Sequence, residues 1–380
     1  MSRDVEPLSR PQHRFTLVDA LRGVASLSVV IYHAAEGRHL TGLLTLLPAW
    51  VAQVIKQGGL GVAVFFVLSG FVIAHSVARS RVTFSFVGRF MLRRSIRLDP
   101  PYWLAIALAI SFAYLAAQFV GGKEQPQVSL GQIAAHIFYL QEIFGYPGFN
   151  SVFWTLCQEV QFYLVFVLLL AVSHNDPAKP MQGRATALVF AGAALISLLW
   201  PLGILSDGPY RGSFLPLWHG FLAGAGAYWA WRNPLSAIYC VAYIAVLLVA
   251  GILRGDAFTI ACALTALLLW AFAARGQMYS ALDWRWLQGL GAISYSLYLT
   301  HNPITAAMFH LGYRLTGRTP GLEAMWWIIT TAACIAFAFA MWWLVERPSI
   351  NLARRISLER KPSQADAAPL AATQRAAAPN

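Results

Sequence analysis

Arg22 and His33 lie eleven residues apart in an apolar stretch, Leu17 to Ala35, long enough to cross a bilayer. Eleven residues of α-helix advance roughly 16 Å and turn through three turns plus about 20°. The guanidinium and the imidazole therefore share one helical face. An arginine inside a membrane span costs roughly 2.5–3.5 kcal/mol on insertion scales, so a chain keeps it where it meets a partner, a water-filled cavity or a ligand. A buried cation and a titratable imidazole on one face can form the wall of a reaction chamber. The plainer alternative is an arginine paired with Asp19, one turn back, and a structurally hydrogen-bonded histidine.

Three further segments carry polar groups within apolar surroundings. The first is Phe153-Trp154-Thr155-Leu156-Cys157-Gln158-Glu159. If a helix begins near Phe153, Glu159 lies roughly 9 Å below its outer end, with Thr155 four residues earlier on the same face. That depth is similar to the depth of His33, and a carboxylate beside an imidazole can orient it and raise its basicity. An ion pair of Glu159 with Arg22 or another arginine is the alternative. The second segment is Ser294-Tyr295-Ser296-Leu297-Tyr298-Leu299-Thr300-His301-Asn302-Pro303. Here Ser294, Tyr298 and His301 form a polar stripe on one face, and Pro303 permits a kink. With this many polar neighbours, cavity lining is favoured over a simple helix–helix hydrogen bond. The third is Arg89 to Asp99, where Arg94 and Arg97 share a helical face. Arginine forks suit phosphate, while an ordinary basic loop anchored by Tyr102 and Trp103 would explain the same residues. Gly59, Gly61 and Gly70 with Ser69 read as smooth packing patches, and Val345-Glu346-Arg347-Pro348 as a charged helix stop.

These residues need helices to hold them. The 380-residue chain is 58% hydrophobic and 12% charged, which excludes an ordinary soluble domain and leaves enough apolar length for many crossings. About ten stretches qualify: 17–36, 59–78, 100–120, 153–173, 185–203, 213–231, 235–253, 256–274, 288–310 and 324–345. With the N-terminus in the cytoplasm and spans alternating, the inner segments hold 20 Lys and Arg and the outer segments 7. This is the positive-inside asymmetry, so both termini are expected in the cytoplasm. The net charge of +12 then belongs to topology, not to nucleic acid. Arg22 interrupts what could otherwise be a cleaved signal sequence, so the first helix reads as uncleaved. The four cysteines, Cys157, Cys240, Cys262 and Cys334, show no metal-ligand spacing and read as small packing residues. No metal site is expected. The expected architecture is an all-α polytopic helix bundle: a cytoplasmic segment over 1–16, one membrane domain over 17–350, and a disordered cytoplasmic tail over 351–380.

Taken in order, the segments resemble the acyltransferase family 3 membrane proteins over about residues 15–350. The resemblance rests on Leu17-Val18-Asp19-Ala20-Leu21-Arg22-Gly23 with the spacing to His33, and on Phe65-Phe66-Val67-Leu68-Ser69-Gly70-Phe71. It continues through Arg94 to Arg97 before Pro101-Tyr102-Trp103, Phe153-Trp154 to Glu159, and Ser294-Tyr295 to His301. The family usually has serine at Thr155 and often an acidic residue at Ala63, so a carboxylate role at that position is lost or taken over elsewhere. A C-terminal esterase-like extension frequent in the family is not seen, which implies completion of transfer by the membrane domain or a separate protein. The resemblance implies a multi-pass protein of a bacterial cytoplasmic membrane that moves an acyl group, most often acetyl, from cytoplasmic acyl-CoA to a hydroxyl of a surface polysaccharide or glycolipid. On this reading acyl-CoA is the donor substrate and no cofactor is permanently bound. His33 is the general base, Glu159 its orienting partner, and Arg22 holds the helix face or the donor's path. Arg94 and Arg97 bind the donor's phosphates, and His301, Tyr298, Ser294 and Thr155 line the substrate cavity. Rival readings are a macrolide, lipid or glucan acceptor, or a transporter or flippase, for which intramembrane charges are equally expected. A transporter would more often show paired halves with broken helices, and the sequence has no such symmetry.

Overall fold

The computed structural model describes residues 14–173 and 180–358, without the side chains of 180–182. Most of the expected N-terminal segment and C-terminal tail therefore falls outside the described residues. Among those described, the chain is helical throughout, with no strand. The helices used below are α1 (Thr16–Glu36), α2 (Thr41–Leu46), α3 (Ala49–Lys56), α4 (Gly61–Val77), α5 (Phe84–Phe119), α6 (Leu130–Ile137), α7 (Trp154–Val172), α8 (Pro180–Ser197), α9 (Trp218–Arg232), α10 (Pro234–Arg254), α11 (Ala257–Ala274), α12 (Arg285–Thr316), α13 (Pro320–Met341) and α14 (Arg347–Ala353).

Among the described residues, seven spans are long and apolar enough to cross a membrane: α1, α3 with α4, α5, α7, α10, α11, and α13 through α14. The other three expected crossings are helices too, and each falls short for its own reason. The apolar part of α8 covers only Gly183–Ser197, and α9 has 15 residues. The third, α12, has ample length at 32 residues, but its polar residues leave it less apolar than the seven spans. The segment 79–99, expected as a basic loop, is mostly helix. The first turn of α5 is capped by Thr83, whose hydroxyl accepts from Phe86 N–H, and the helix then runs on through Pro100 and Pro101. Arg94 and Arg97 thus stand on a rigid extension of a span.

Two close helix contacts set the geometry of the interior. α1 and α12 lie parallel. Gln288 donates to the Thr16 carbonyl at one end, and His33 meets His301 towards the other. Between these points Gly23 and Gly291 notch the two helices together: a Cβ on Gly291 would collide with the Asp19 carbonyl, and one on Gly23 would crowd the backbone of Gly291. The pair α4 and α9 is locked the same way. A Cβ on Gly70 would collide with the Phe221 carbonyl, and one on Gly224 with the Val67 carbonyl. Small residues that let backbones approach are the usual device for holding membrane helices, because lipid supplies no hydrophobic drive between them. Gly59 and Gly61 serve it as well, against Tyr32 and the Ala25 carbonyl of α1. All four cysteines are buried thiols; Cys262 donates weakly to the Ala63 carbonyl, so Ala63 is a helix-packing position here.

Candidate active site

The polar residues divide between two ends of α1 and α12. At the first end, a cavity of about 740 Å³ is lined, among the described residues, by seven arginines and only two carboxylates, Asp19 and Glu346. Arg22, Arg93, Arg94, Arg97 and Arg347 belong to this wall. Deeper in, a narrow chamber of about 60 Å³ continues from it, sharing Arg22, Arg94 and Arg97 and adding Ser69, Thr155, Glu159, Tyr163, Ser294 and Tyr298. Arg94 and Arg97, expected on one helical face, both line the cavity and the chamber. The Arg94 guanidinium lies 4.5 Å from the centre of the Tyr163 ring, a cation–π contact that holds it in the chamber wall. Arg22 does not pair with Asp19, which is taken by Arg14. The Nε of Arg22 is buried without a hydrogen-bond partner among the described residues.

Glu159 faces this chamber. Its carboxylate accepts hydrogen bonds from the Ser69 and Tyr163 hydroxyls. The expected pairing of Glu159 with His33 does not form. Thr155, one turn before Glu159, bonds the Tyr298 hydroxyl at 2.9 Å, and Tyr298 itself sits one turn before His301. Glu159 therefore lies about two helical turns, on the order of 10 Å, from the histidines. Counting from a helix start placed it too near them.

At the second end His33 finds a different partner. Its Nδ1 lies 3.1 Å from Nε2 of His301 and 3.0 Å from the Val29 carbonyl. The Nδ1 of His301 lies 2.9 Å from the Tyr298 carbonyl and 3.1 Å from that of Leu297. Carbonyls only accept, so Nδ1 of His301 carries its proton and Nε2 is left as an acceptor. By the same argument His33 carries a proton on Nδ1, donates it towards His301, and keeps a lone pair on Nε2. His301 is fully buried, whereas His33 is half-buried. The stripe on α12 is thus divided: Ser294 and Tyr298 line the chamber, while His301 turns to His33.

Four residues gain importance that the sequence analysis did not single out: Ser69, Tyr163, Glu346 and His136. Ser69, read as a packing residue, donates to Glu159. Glu346, read as a boundary marker, is buried at 4% exposure and accepts from the Ser296 amide at 3.2 Å and its hydroxyl at 2.6 Å. A π-helical turn over Trp342–Glu346 shifts the helix register and carries this carboxylate inward, a device frequent at functional sites. His136 of α6 accepts from the Phe149 amide at 3.2 Å and so pins the loop before α7. Burial pushes its imidazole below the usual histidine range, against the pull of the Gln132 carbonyl. Tyr163 could have been found as the residue one turn after Glu159. The inward turn of Glu346 had no local signature.

The fold and site define a multi-pass helical membrane protein with an arginine-lined cavity at one end of its interior and a histidine pair towards the other. Residues 16–345 match the model of the acyltransferase domain family, and the chain belongs to that family: it is a membrane acyltransferase. Among its relatives is Nodulation protein 10 of Rhizobium leguminosarum bv. viciae, 26% identical over 90% of this chain and 96% of that protein. The putative membrane-bound transacylase BcsY of Komagataeibacter xylinus is 27% identical over 97% of this chain and 88% of that one. The putative peptidoglycan O-acetyltransferase YrhL of Bacillus subtilis (strain 168) is 24% identical over 76% of this chain and 48% of its own length. No solved structure matches the chain.

Proposed function

We propose that the protein is a membrane-bound O-acyltransferase that moves an acyl group, most simply acetyl, from acyl-CoA in the cytoplasm to a hydroxyl of a surface polysaccharide or glycolipid. One observation carries this reading: a single helix, α1, brings Arg22 to the basic cavity and His33 to the histidine pair. The arginine end faces the cytoplasm of a bacterial inner membrane, as the twenty-to-seven distribution of basic residues favours. Its cavity suits a donor rich in phosphate, since arginine forks bind phosphate in bidentate geometry. Arg94 and Arg97 hold the phosphates, and Arg22 guides the donor into the chamber.

The chemistry follows from the free nitrogen of His33. Its Nε2 takes the proton of the acceptor hydroxyl as that oxygen attacks the thioester carbonyl. The carbon–oxygen bond forms, the carbon–sulfur bond breaks, and the proton passes to the departing thiolate. His301 accepts from Nδ1–H throughout, holding the ring and sharing the positive charge that develops on it. Glu159 acts within the chamber, where it orders Ser69 and Tyr163 along the donor's path. Thr155 and Tyr298 stand between chamber and histidines, so the acyl-bearing end of the donor must displace their hydrogen bond to reach His33.

The test is mass spectrometry of surface glycans from wild-type cells, a deletion strain and a strain complemented with His33→Ala, together with transfer assays on the purified protein in nanodiscs. Acyl groups lost on deletion, restored by the wild-type gene and not by the variant, are expected. Glycans with unchanged acylation in the deletion strain would overturn the reading. Cysteine labelling in intact cells should mark residues 121–152 from outside and leave 79–99 unlabelled.

A further inference from the structure

A third cavity lies towards the histidine end, of about 590 Å³, well within the size range of ligand sites. Its polar edge is Asn150, Ser151 and Asn302; Phe112 and Phe149 add apolar surface. Asn302 follows His301 directly, and Asn150 donates to the Leu299 carbonyl, two residues before His301. The cavity therefore rests on the α12 turn that carries His301, the partner of His33. The polar edge is held rigidly. Asn302 donates from its amide nitrogen to Ser151 at 2.8 Å and to Asn150 at 3.2 Å, while His136 and Gln132 of α6 pin the loop through Phe149 and Pro147.

This wiring leaves a defined pattern. With its nitrogen spent, Asn302 offers Oδ1 as an acceptor, and Ser151, whose oxygen already accepts, offers its hydroxyl proton. An acceptor beside a donor matches two neighbouring hydroxyls of one molecule. The charge pattern narrows the ligand further. No carboxylate occurs among the described lining residues, so an amine would find no partner there, and Lys123 is the single lysine or arginine, exposed at the rim. His39, also in the wall, is held below the usual histidine range by burial and by the nearby Arg318. The contrast with the seven arginines of the opposite cavity is complete.

We propose that this cavity is the acceptor subsite and that it takes a neutral sugar residue, its hydroxyls read by Asn302 and Ser151 and its apolar face laid against the phenylalanine wall. The assignment rests on the acyl-transfer reading above. The sugar's reacting hydroxyl is directed towards His33 from the face opposite to the donor.

The experiment uses the full-length protein in nanodiscs, acetyl-CoA as donor, and as acceptor the deacylated surface polysaccharide prepared from the deletion strain. Asn302→Ala and Ser151→Ala are expected to raise the KM for this acceptor about tenfold each, which corresponds to losing a hydrogen bond worth about 1.4 kcal/mol. The affinity for acetyl-CoA, measured by calorimetry, stays at the wild-type value. Ala306→Trp fills the cavity from an exposed position in its wall and should abolish transfer while donor affinity is kept. Unchanged acceptor KM in the two alanine variants, or full transfer by Ala306→Trp, overturns the subsite assignment and leaves the acyl-transfer reading standing. A wild-type protein that binds no acetyl-CoA and transfers no acetyl group removes that reading, and this assignment with it.

Discussion

The two ends of α1 and α12 are built on opposite principles. At the arginine end a wide basic cavity holds seven guanidinium groups against two carboxylates, and Arg22 Nε has no hydrogen-bond partner among the described residues. At the histidine end two rings meet at 3.1 Å, each with its Nδ1–H directed at a backbone carbonyl. The first arrangement leaves charge open to a polyanion arriving from solvent. The second fixes the tautomers of two neutral rings and leaves one nitrogen able to take a proton. On the proposed reading, binding and proton transfer are separated along the same pair of helices, with the chamber that holds Glu159 between them.

The largest expected effect comes from breaking the histidine end. His33→Ala should lower the transfer rate roughly 10²–10⁴-fold, the usual cost of losing a general base, in an assay of acetyl transfer in nanodiscs. His301→Ala removes the group that orients the base and should fall in the same range. The double variant should be little worse than either, because groups that act as a unit are not additive. Near wild-type transfer by His33→Ala would erase the distinction between the two ends. At the arginine end the expected loss is in binding. Arg94→Ala and Arg97→Ala should each weaken acetyl-CoA affinity tenfold or more, for one charge-assisted contact of roughly 1.5–3 kcal/mol. Arg94→Lys should not rescue it, because lysine cannot make the fork. Calorimetric titration that finds donor affinity unchanged in the double alanine variant would reduce these arginines to orienting charges.

Glu346 sharpens the comparison from a third side. Glu346→Ala leaves the buried Ser296 hydroxyl without its partner and should destabilise the fold by about 1–3 kcal/mol, read as a lower midpoint in thermal unfolding. It also removes one of the two carboxylates in the basic cavity, so donor affinity should hold or rise. A fall in donor affinity at unchanged stability would mean that Glu346 contacts the donor. The smallest effect is expected at Thr155. Thr155→Ser keeps the hydroxyl that meets Tyr298 and should change the rate by only a few fold, whereas Thr155→Val should cost more, a difference that parallel initial-rate measurements resolve.

The helices themselves were legible in the sequence, because the apolar runs and the Arg22-to-His33 spacing are local properties of one strand of chain. All ten apolar stretches became helices, although three of them are too short or too polar to count as apolar spans. The residue types of the site were legible too: a charged group in an apolar run declares itself by its cost. Partners were not. Counting residues from two helix ends puts Glu159 level with His33, whereas the packing of α4 against α7 sets it beside Ser69, with Tyr163 one turn along its own helix. His301 was read as cavity lining and stands as the neighbour of His33. Glu346 looked like a terminus until a π-helical turn carried it inward.

What this sequence by itself determined is therefore the set of helices and the face on which each polar group stands, since 3.6-residue periodicity acts within one helix and needs no neighbour. Which groups meet was decided by the tertiary structure alone. The axial register of one helix against the next depends on where their backbones come closest, at Gly23 with Gly291 and at Gly70 with Gly224. A slide of one turn between α1 and α12 would part His33 from His301 without altering either helix.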